Sequence, residues 1–328
     1  LSRRALQTWV LLLAACGDPG IHEPGLQRQG RFGSLRDLVL VERPPAFGGP
    51  FFLDRFEVTR GDWREFGALP ARADDAALPV TGIDLLQARA FAAWRFCRLL
   101  RSKEWDYAAT DDGRHAFPWG EAPQASRANT HELGIGRPTP VGTFESGRRG
   151  DGQPYDLVGN AAEWTESVPE NWFQGSPRSA GEGVPWWPDL GLASWKLARV
   201  PALCVWLSPG LPVPASLLVQ ALDWRVPREV VGSDFRSSID ELHRPRWPRD
   251  TDSAQGCRLA ADPLGLLTAL LRHAQPLAAD EARQLQAFLR RGRHRPVLAG
   301  ALAAARRLCP ETPLAGTAGA MLLAEFGR

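Results

Sequence analysis

The sequence predicts an α+β fold with little regular secondary structure, followed by a small all-α unit at the C-terminal end. Three observations carry this. The 328 residues include 13 Trp, 28 Pro and 32 Gly, a mix in which aromatic rings and tight turns replace long regular elements. Between residues 37 and 262 the apolar patterns are short, some at strand and some at helix spacing. From Pro263 onward four helical stretches follow one another, separated by Pro or Gly. The length allows one large domain with an appendage, or two domains. An apolar fraction of 44% and a charged fraction of 23% are ordinary for a globular chain. A net charge of +2 gives the whole chain no electrostatic reason to seek nucleic acid.

The first sixteen residues, "LSRRALQTWVLLLAAC", place Arg3 and Arg4 before an apolar run from Trp9 to Ala15. The run is shorter than the roughly 20 apolar residues that span a bilayer, and it fits the core of a signal peptide. Leu13-Ala14-Ala15-Cys16 has the form of a bacterial lipobox, with Cys16 the lipidated residue; the alternative is an ordinary secretory signal cleaved near Ala15. Ser2-Arg3-Arg4 carries a weak trace of twin-arginine export. Export to the cell envelope is the expectation either way. Residues 17–36, polar and rich in Gly and Pro, read as a tether.

The main domain is expected over 37–262. Leu38 and Leu40, then Phe52, Phe56 and Val58, alternate as short strands around a Pro-Gly turn at 44–50. Thr59 is placed to cap a short helix from Arg60. Leu85, Ala88, Phe91, Ala92 and Phe96 recur at helical spacing behind the capping residue Asp84. "SKEWDYAAT" reads as another short helix, entered through Ser102. Residues 168–227 are a Trp- and Pro-rich insertion in which Pro limits strand length. Residues 263–328 carry nine Arg and four acids, a local excess of +5 that leaves −3 for the remainder; solvated helix faces account for it. Cys97, Cys204, Cys257 and Cys309 are far apart and lack zinc-ligand spacing. An exported chain permits a disulfide, for which Cys97 with Cys257 is the candidate, against four buried free thiols.

The motifs then fall in a recognisable order: "DRFEVTRGDWREF" (54–66), "LPVTGIDLLQARAFAAWRFCRLLRSKEWDYAAT" (78–110), "FPWG" (117–120), "RANT" (127–130), "TPVGTFESG" (139–147), "YDLVGNAAEWTES" (155–167) and "VVGSDFRSSIDELHRPRWPRDTDSAQGCRLAAD" (230–262). Their order and spacing resemble the formylglycine-generating-enzyme, or sulfatase-modifying factor, family. The resemblance implies a C-type-lectin-like fold across 37–262, interrupted by the insertion. It also implies structural calcium. Asn160 and Glu163 supply hard oxygen atoms three residues apart, suited to Ca²⁺, and they match the family's calcium-binding stretch; Asn129 matches a further calcium position. The plainer alternative is that these side chains only hydrogen-bond loop backbone. Trp105, Trp119 and Trp164 are expected in the core.

The departures from the family bear on activity. Its oxidase members hold copper between two cysteines placed five apart, as soft thiolates suit Cu(I). Here Arg236 and Glu241 stand at those positions, and 205–256 contains no Cys. Formylglycine formation through a copper dithiolate is therefore not expected, and a copper pair of Cys204 with Cys257 lies outside the motif. Other members are iron-dependent sulfoxide synthases or siderophore-tailoring enzymes. The chain has six His and no HxxxH pair, so iron enters only under that alternative. Ser233, Asp240, Glu241 and His243 are the one polar run in the corresponding cleft, either a proton-transfer set or a solvated loop. The expectation is an exported, lipid-anchored, non-catalytic binding or scaffold module at the cell envelope, facing periplasm or exterior. Its partners are the membrane, through the lipid, and a protein or glycan ligand taken by Trp172, Trp186, Trp187 and Trp195. The alternative is a divergent enzyme, of the iron-dependent or the formylglycine-generating kind.

Overall fold

The computed structural model describes residues 37–44, 48–67, 76–169, 227–248 and 250–327, together with Phe32 and Leu35. Cys16, Cys204 and the insertion's Trp172, Trp186, Trp187 and Trp195 lie outside the described residues. Among the described residues, no helix is long and apolar enough to cross a membrane.

Helix and sheet are mixed, and the elements are short. The first sheet holds β1 (Leu38–Val41), β2 (Phe51–Asp54), β8 (Leu259–Ala261) and β3 (Arg98–Leu99) in the order β1-β2-β8-β3. All its pairings are antiparallel, with Leu38 opposite Asp54 and Phe52 opposite Ala261. The second sheet has the order β6-β5-β4-β7, formed by β4 (Ala162–Trp164), β5 (Arg228–Val231), β6 (His243–Arg246) and β7 (Gln255–Cys257). Its β4 runs parallel to β7 and antiparallel to β5.

The first sheet is covered on both faces. Leu38, Phe52 and Ala261 pack with the apolar sides of the C-terminal helices, whereas Val39, Val41, Phe51, Leu53 and Ala260 pack around Trp105. Successive side chains of a strand point to opposite faces, so a strand buried on both sides reads as an unbroken apolar run. That is why "LVLV" and "FFLD" do not alternate with polar residues.

The helices follow their capping chemistry. In α1 (Arg60–Phe66), the Thr59 hydroxyl accepts from the Asp62 amide and Asp62 accepts from the Thr59 amide, a complete capping box. Asp84 and Gln87 do the same for α2 (Leu85–Trp94). The helical spacing carries Phe91 onto Trp63, the rings stacked at 5.0 Å. One boundary differs from expectation: Phe96 lies beyond α2 with φ of 58°, a conformation that ends a helix. The stretch "SKEWDYAAT" forms α3 (Ser102–Thr110) as expected, with the Glu104 carboxylate accepting from the Arg101 amide at its start.

At the C-terminal end stand α4 (Pro263–Arg272), α5 (Ala279–Leu289), α6 (His294–Leu308) and α7 (Ala318–Phe326), the four expected helices. They close one core with β1 and β2, in which Leu266, Leu270, Phe288 and Leu322 meet Leu38 and Phe52. Phe32 and Leu35, which the sequence assigns to the tether, are buried in that same core at 1% and 0% exposure. The expected Cys97–Cys257 disulfide is absent: both are free thiols in apolar surroundings. Burial pushes Cys97 up to about 12 and Cys257 well above its ordinary value, so neither is a reactive thiolate.

Candidate functional site

Two neighbouring features occupy the region the motifs point to: the buried turn at Gly159-Asn160, and the loop from Val231 to Arg244. Gly159 and Asn160 both take left-handed backbone, with φ of 83° and 65°. A side chain at Gly159 would begin 2.7 Å from the Asn129 carbonyl oxygen, which restricts the position to glycine. Asn tolerates the left-handed region better than most residues, and here its amide joins three segments. Asn160 Oδ1 accepts from Asn129 Nδ2 at 3.1 Å, from the Thr139 amide at 2.8 Å and from the Thr139 hydroxyl at 3.1 Å. Its Nδ2 donates to Glu57 Oε2 at 2.6 Å, and the next amide, Ala161, donates to Glu57 Oε1 at 2.8 Å. The motif is a buckle: an amide is both donor and acceptor, and it fastens loops that no ladder of backbone bonds connects.

Glu163, on β4, faces Arg258 between β7 and β8. Arg258 Nε donates to Glu163 Oε1 at 2.8 Å, and the remaining guanidinium nitrogens reach the carbonyls of Asp54, Tyr155 and Asp156. Burial pushes Glu163 up to about 6, opposed by Arg258. Asp156 is also pushed up to about 6 by burial, opposed by the Gly142 amide and Arg258. Glu57 is raised well above its ordinary value, first by burial and then by the charge of Asp156. Trp164 and Trp105 are fully buried as expected, their indole N–H groups held by the Ile83 and Leu157 carbonyls. Trp119 is instead half-buried, stacked on Phe117 at 5.3 Å.

The fit of calcium to Asn160, Glu163 and Asn129 follows from these bonds. Asn160 Oδ1 already accepts three hydrogen bonds, and Glu163 is committed to Arg258. Glu163 Oε2 and Asn129 Oδ1 remain buried and unpaired, two oxygens where calcium takes six to eight. Among the described residues, no group of three His, Cys, Asp or Glu side chains is placed to hold a metal ion. Of the three expected ligands, Asn160 Oδ1 is thus taken by hydrogen bonds, while Glu163 and Asn129 each keep one buried oxygen that a hard cation could share with backbone carbonyls.

In the loop, Asp234 is the organising residue. Its buried carboxylate accepts from the Arg236 amide at 2.8 Å, the Ser237 hydroxyl at 2.8 Å and Arg244 Nη2 at 2.7 Å. Arg236 turns its guanidinium to Asp252, and Glu241 lies 3.8 Å from Arg244. The Ser238 hydroxyl sits between Glu132 and Asp240 at 2.8 and 2.5 Å. His243 Nε2 is 3.1 Å from Asp106 Oδ1, with the ring edge-on to Trp105. Ser233 is buried with φ of 41°, and its hydroxyl has no partner. Ser233, Asp240, Glu241 and His243 therefore face different neighbours and do not converge on one point.

Sequence reasoning missed Glu57, Asp234, Arg244 and Arg258. A signal existed for Arg258: a lone Arg inside the apolar "GCRLAA" run requires a buried partner. Asp234 also carried a local signal, because an Asp that accepts from the amide two residues on forms an Asx-turn.

Residues 42–185 match the family model of the sulfatase-modifying factor enzyme 1-like domain. The hercynine oxygenase of Mycolicibacterium smegmatis is 38% identical over 101 residues, 29% of this chain and 23% of that protein. The inactive C-alpha-formylglycine-generating enzyme 2 of Bos taurus is 34% identical over 122 residues, 34% of this chain and 40% of that protein. The formylglycine-generating enzyme of Mycobacterium tuberculosis is 32% identical over 117 residues, 31% and 38% of the two chains. The chain thus spans less than half the length of these relatives. Among solved structures, PvdO from Pseudomonas aeruginosa aligns with a TM-score of 0.41 at 19% identity, over 66% of this chain and 81% of that one.

Proposed function

We propose, for a chain that belongs to the formylglycine-generating-enzyme family through its sulfatase-modifying factor enzyme 1-like domain, that it is an exported, lipid-anchored and non-catalytic binding or scaffold module of the cell envelope. One observation carries the non-catalytic part. The two positions where the resemblance expects copper cysteines hold Arg236 and Glu241, and the first is tied to Asp252 while the second leans on Arg244. A loop whose charges are spent on one another is organised for rigidity, and a dithiolate cannot be replaced by a guanidinium and a carboxylate. The name of the Bos taurus relative marks it as inactive; the same condition is proposed for this chain. The anchored state rests on the lipobox-like ending at Cys16, and ligand capture on the indoles of the insertion.

The experiment is direct. The chain, loaded with copper, is incubated with a peptide bearing the cysteine of a sulfatase-type motif, and peptide mass is followed. The proposal expects no loss of thiol and no aldehyde; turnover sinks it. Replacing Cys16 by Ala is expected to move the chain from the membrane to the soluble fraction, and unchanged membrane retention removes the lipid anchor.

A second reading has its own observation. His243 and Asp106, 3.1 Å apart at the half-exposed end of the loop, are the kind of nitrogen and oxygen pair that contributes to a non-haem iron site. Stoichiometric iron lost on His243→Ala favours that enzyme.

A further inference from the structure

The C-terminal helices present a second feature that the domain's own site does not use. The two most exposed large apolar side chains among the described residues are Leu314 and Leu308, at 68% and 56%. They flank the turn that follows α6. Beside them lies a depression of about 440 Å³, floored by Leu271, Ala303, Pro310, Pro313 and Leu323. Leu308 and Leu314 line an adjoining depression of about 380 Å³, which shares Leu271 and the Cys309–Pro313 segment with the first. The surface thus sets two exposed apolar side chains next to a hollow that they do not line.

Its charges are also arranged in opposition. Arg306, Arg307 and Glu311 line the first hollow, and all three are exposed. The ion pairs of these helices run elsewhere, from Arg290 and Arg295 to Glu325 and from Arg293 to Glu42. None of the three charges beside the hollow makes an ion pair among the described residues. Neighbouring opposite charges that leave each other unpaired, set around a knob and a hollow, form a self-complementary surface. In a two-fold interface residue i meets residue j while j meets i. A second copy, turned over, sets its Glu311 against Arg306 and Arg307 and its Leu314 into the hollow, and receives the same in return.

We propose that this face is a two-fold interface between copies of the chain, with Leu308 and Leu314 as its apolar anchors and the Arg306–Arg307–Glu311 set fixing its register. An acidic partner protein would use the two arginines but would leave Glu311 repelled, so the presence of both signs favours a second copy.

The test is sedimentation velocity on the full chain across a concentration series, carrying Cys16→Ala so that no acyl chain drives association. The expected result is a monomer–dimer equilibrium. R306E/R307E is expected to weaken it by about tenfold or more, E311R likewise, and the triple reversal R306E/R307E/E311R to restore it, because opposite charges face each other again. All of these side chains are exposed, so circular dichroism should remain unchanged and folding is separable from association. A monomer at every concentration overturns the proposal, as does a dimer indifferent to the reversals. A monomer that instead binds poly-L-glutamate through Arg306 and Arg307 assigns the face to an acidic partner and overturns it too.

Discussion

Arg258 and Glu163 form an ion pair from which water is excluded, 2.8 Å apart with side-chain exposures of 0% and 1%. The arginine also gathers the carbonyls of Asp54, Tyr155 and Asp156, so one side chain links β2, the segment before the Gly159 turn, and β4. A buried pair of this kind adds little net stability over an apolar substitute, but losing one partner leaves an uncompensated charge.

Arg258→Met is therefore expected to cost on the order of 3–5 kcal/mol, read from the urea midpoint. Arg258→Met with Glu163→Gln should recover part of that loss. A double variant as unstable as the sum of the singles would deny the pairing its role.

The carboxylates around Arg258 give a pH dependence of a definite sign. Asp156 and Glu163 are raised from 3.8 and 4.5 to about 6, chiefly by burial. A carboxylate raised in the folded chain holds its proton more tightly there than when unfolded. Its contribution is fully present below the unfolded value and is lost as pH rises through the folded one. For Glu163 this amounts to about 2 kcal/mol. Asp156→Asn is expected to flatten the fall in melting temperature as pH rises from 3.8 to about 6; an unchanged slope refutes the assignment. Glu57, Arg258 and the Asp54–Arg95 pair face the same interior, so the variant is compared with the parent over the whole profile.

Much of this architecture was legible locally. Thr59 and Asp84 declare the starts of α1 and α2 because a cap is a short-range device, and the four C-terminal helices show in their periodicity. What was not legible depends on long-range packing. The tether reading of Phe32 and Leu35 failed because a Gly-rich context hides two anchors that bind a core more than two hundred residues away in sequence. Asn160 and Glu163 were visible as paired oxygen ligands, but the partners that engage Asn160 Nδ2 and Glu163 Oε1, Glu57 and Arg258, lie 103 and 95 residues distant and leave no local trace.

The shared core of β1, β2 and the C-terminal helices predicts one cooperative transition. Phe52 is fully buried against Phe288 at 5.4 Å. Phe52→Ala should cost about 3–5 kcal/mol and destabilise helices and sheet together, followed by hydrogen exchange. Protection lost in the sheet alone would make the helices an independent unit.

Asp234 holds the loop closed through three donors. Asp234→Ala should leave the Ser237 hydroxyl without its acceptor and Arg244 with only Ser237 Oγ and the more distant Glu241, at about 1–3 kcal/mol. Amide exchange should accelerate between Val231 and Arg244 while α4–α7 stay protected. Unchanged exchange in the loop would show that Asp234 does not organise it.

The proposed non-catalytic reading rests on the loop in which Arg236 pairs with Asp252 and Glu241 lies near Arg244. Elemental mass spectrometry on the chain, purified without chelator, tests it most directly. Neither copper nor iron is expected to approach one atom per chain; stoichiometric occupancy by either, lost on His243→Ala, would contradict the account.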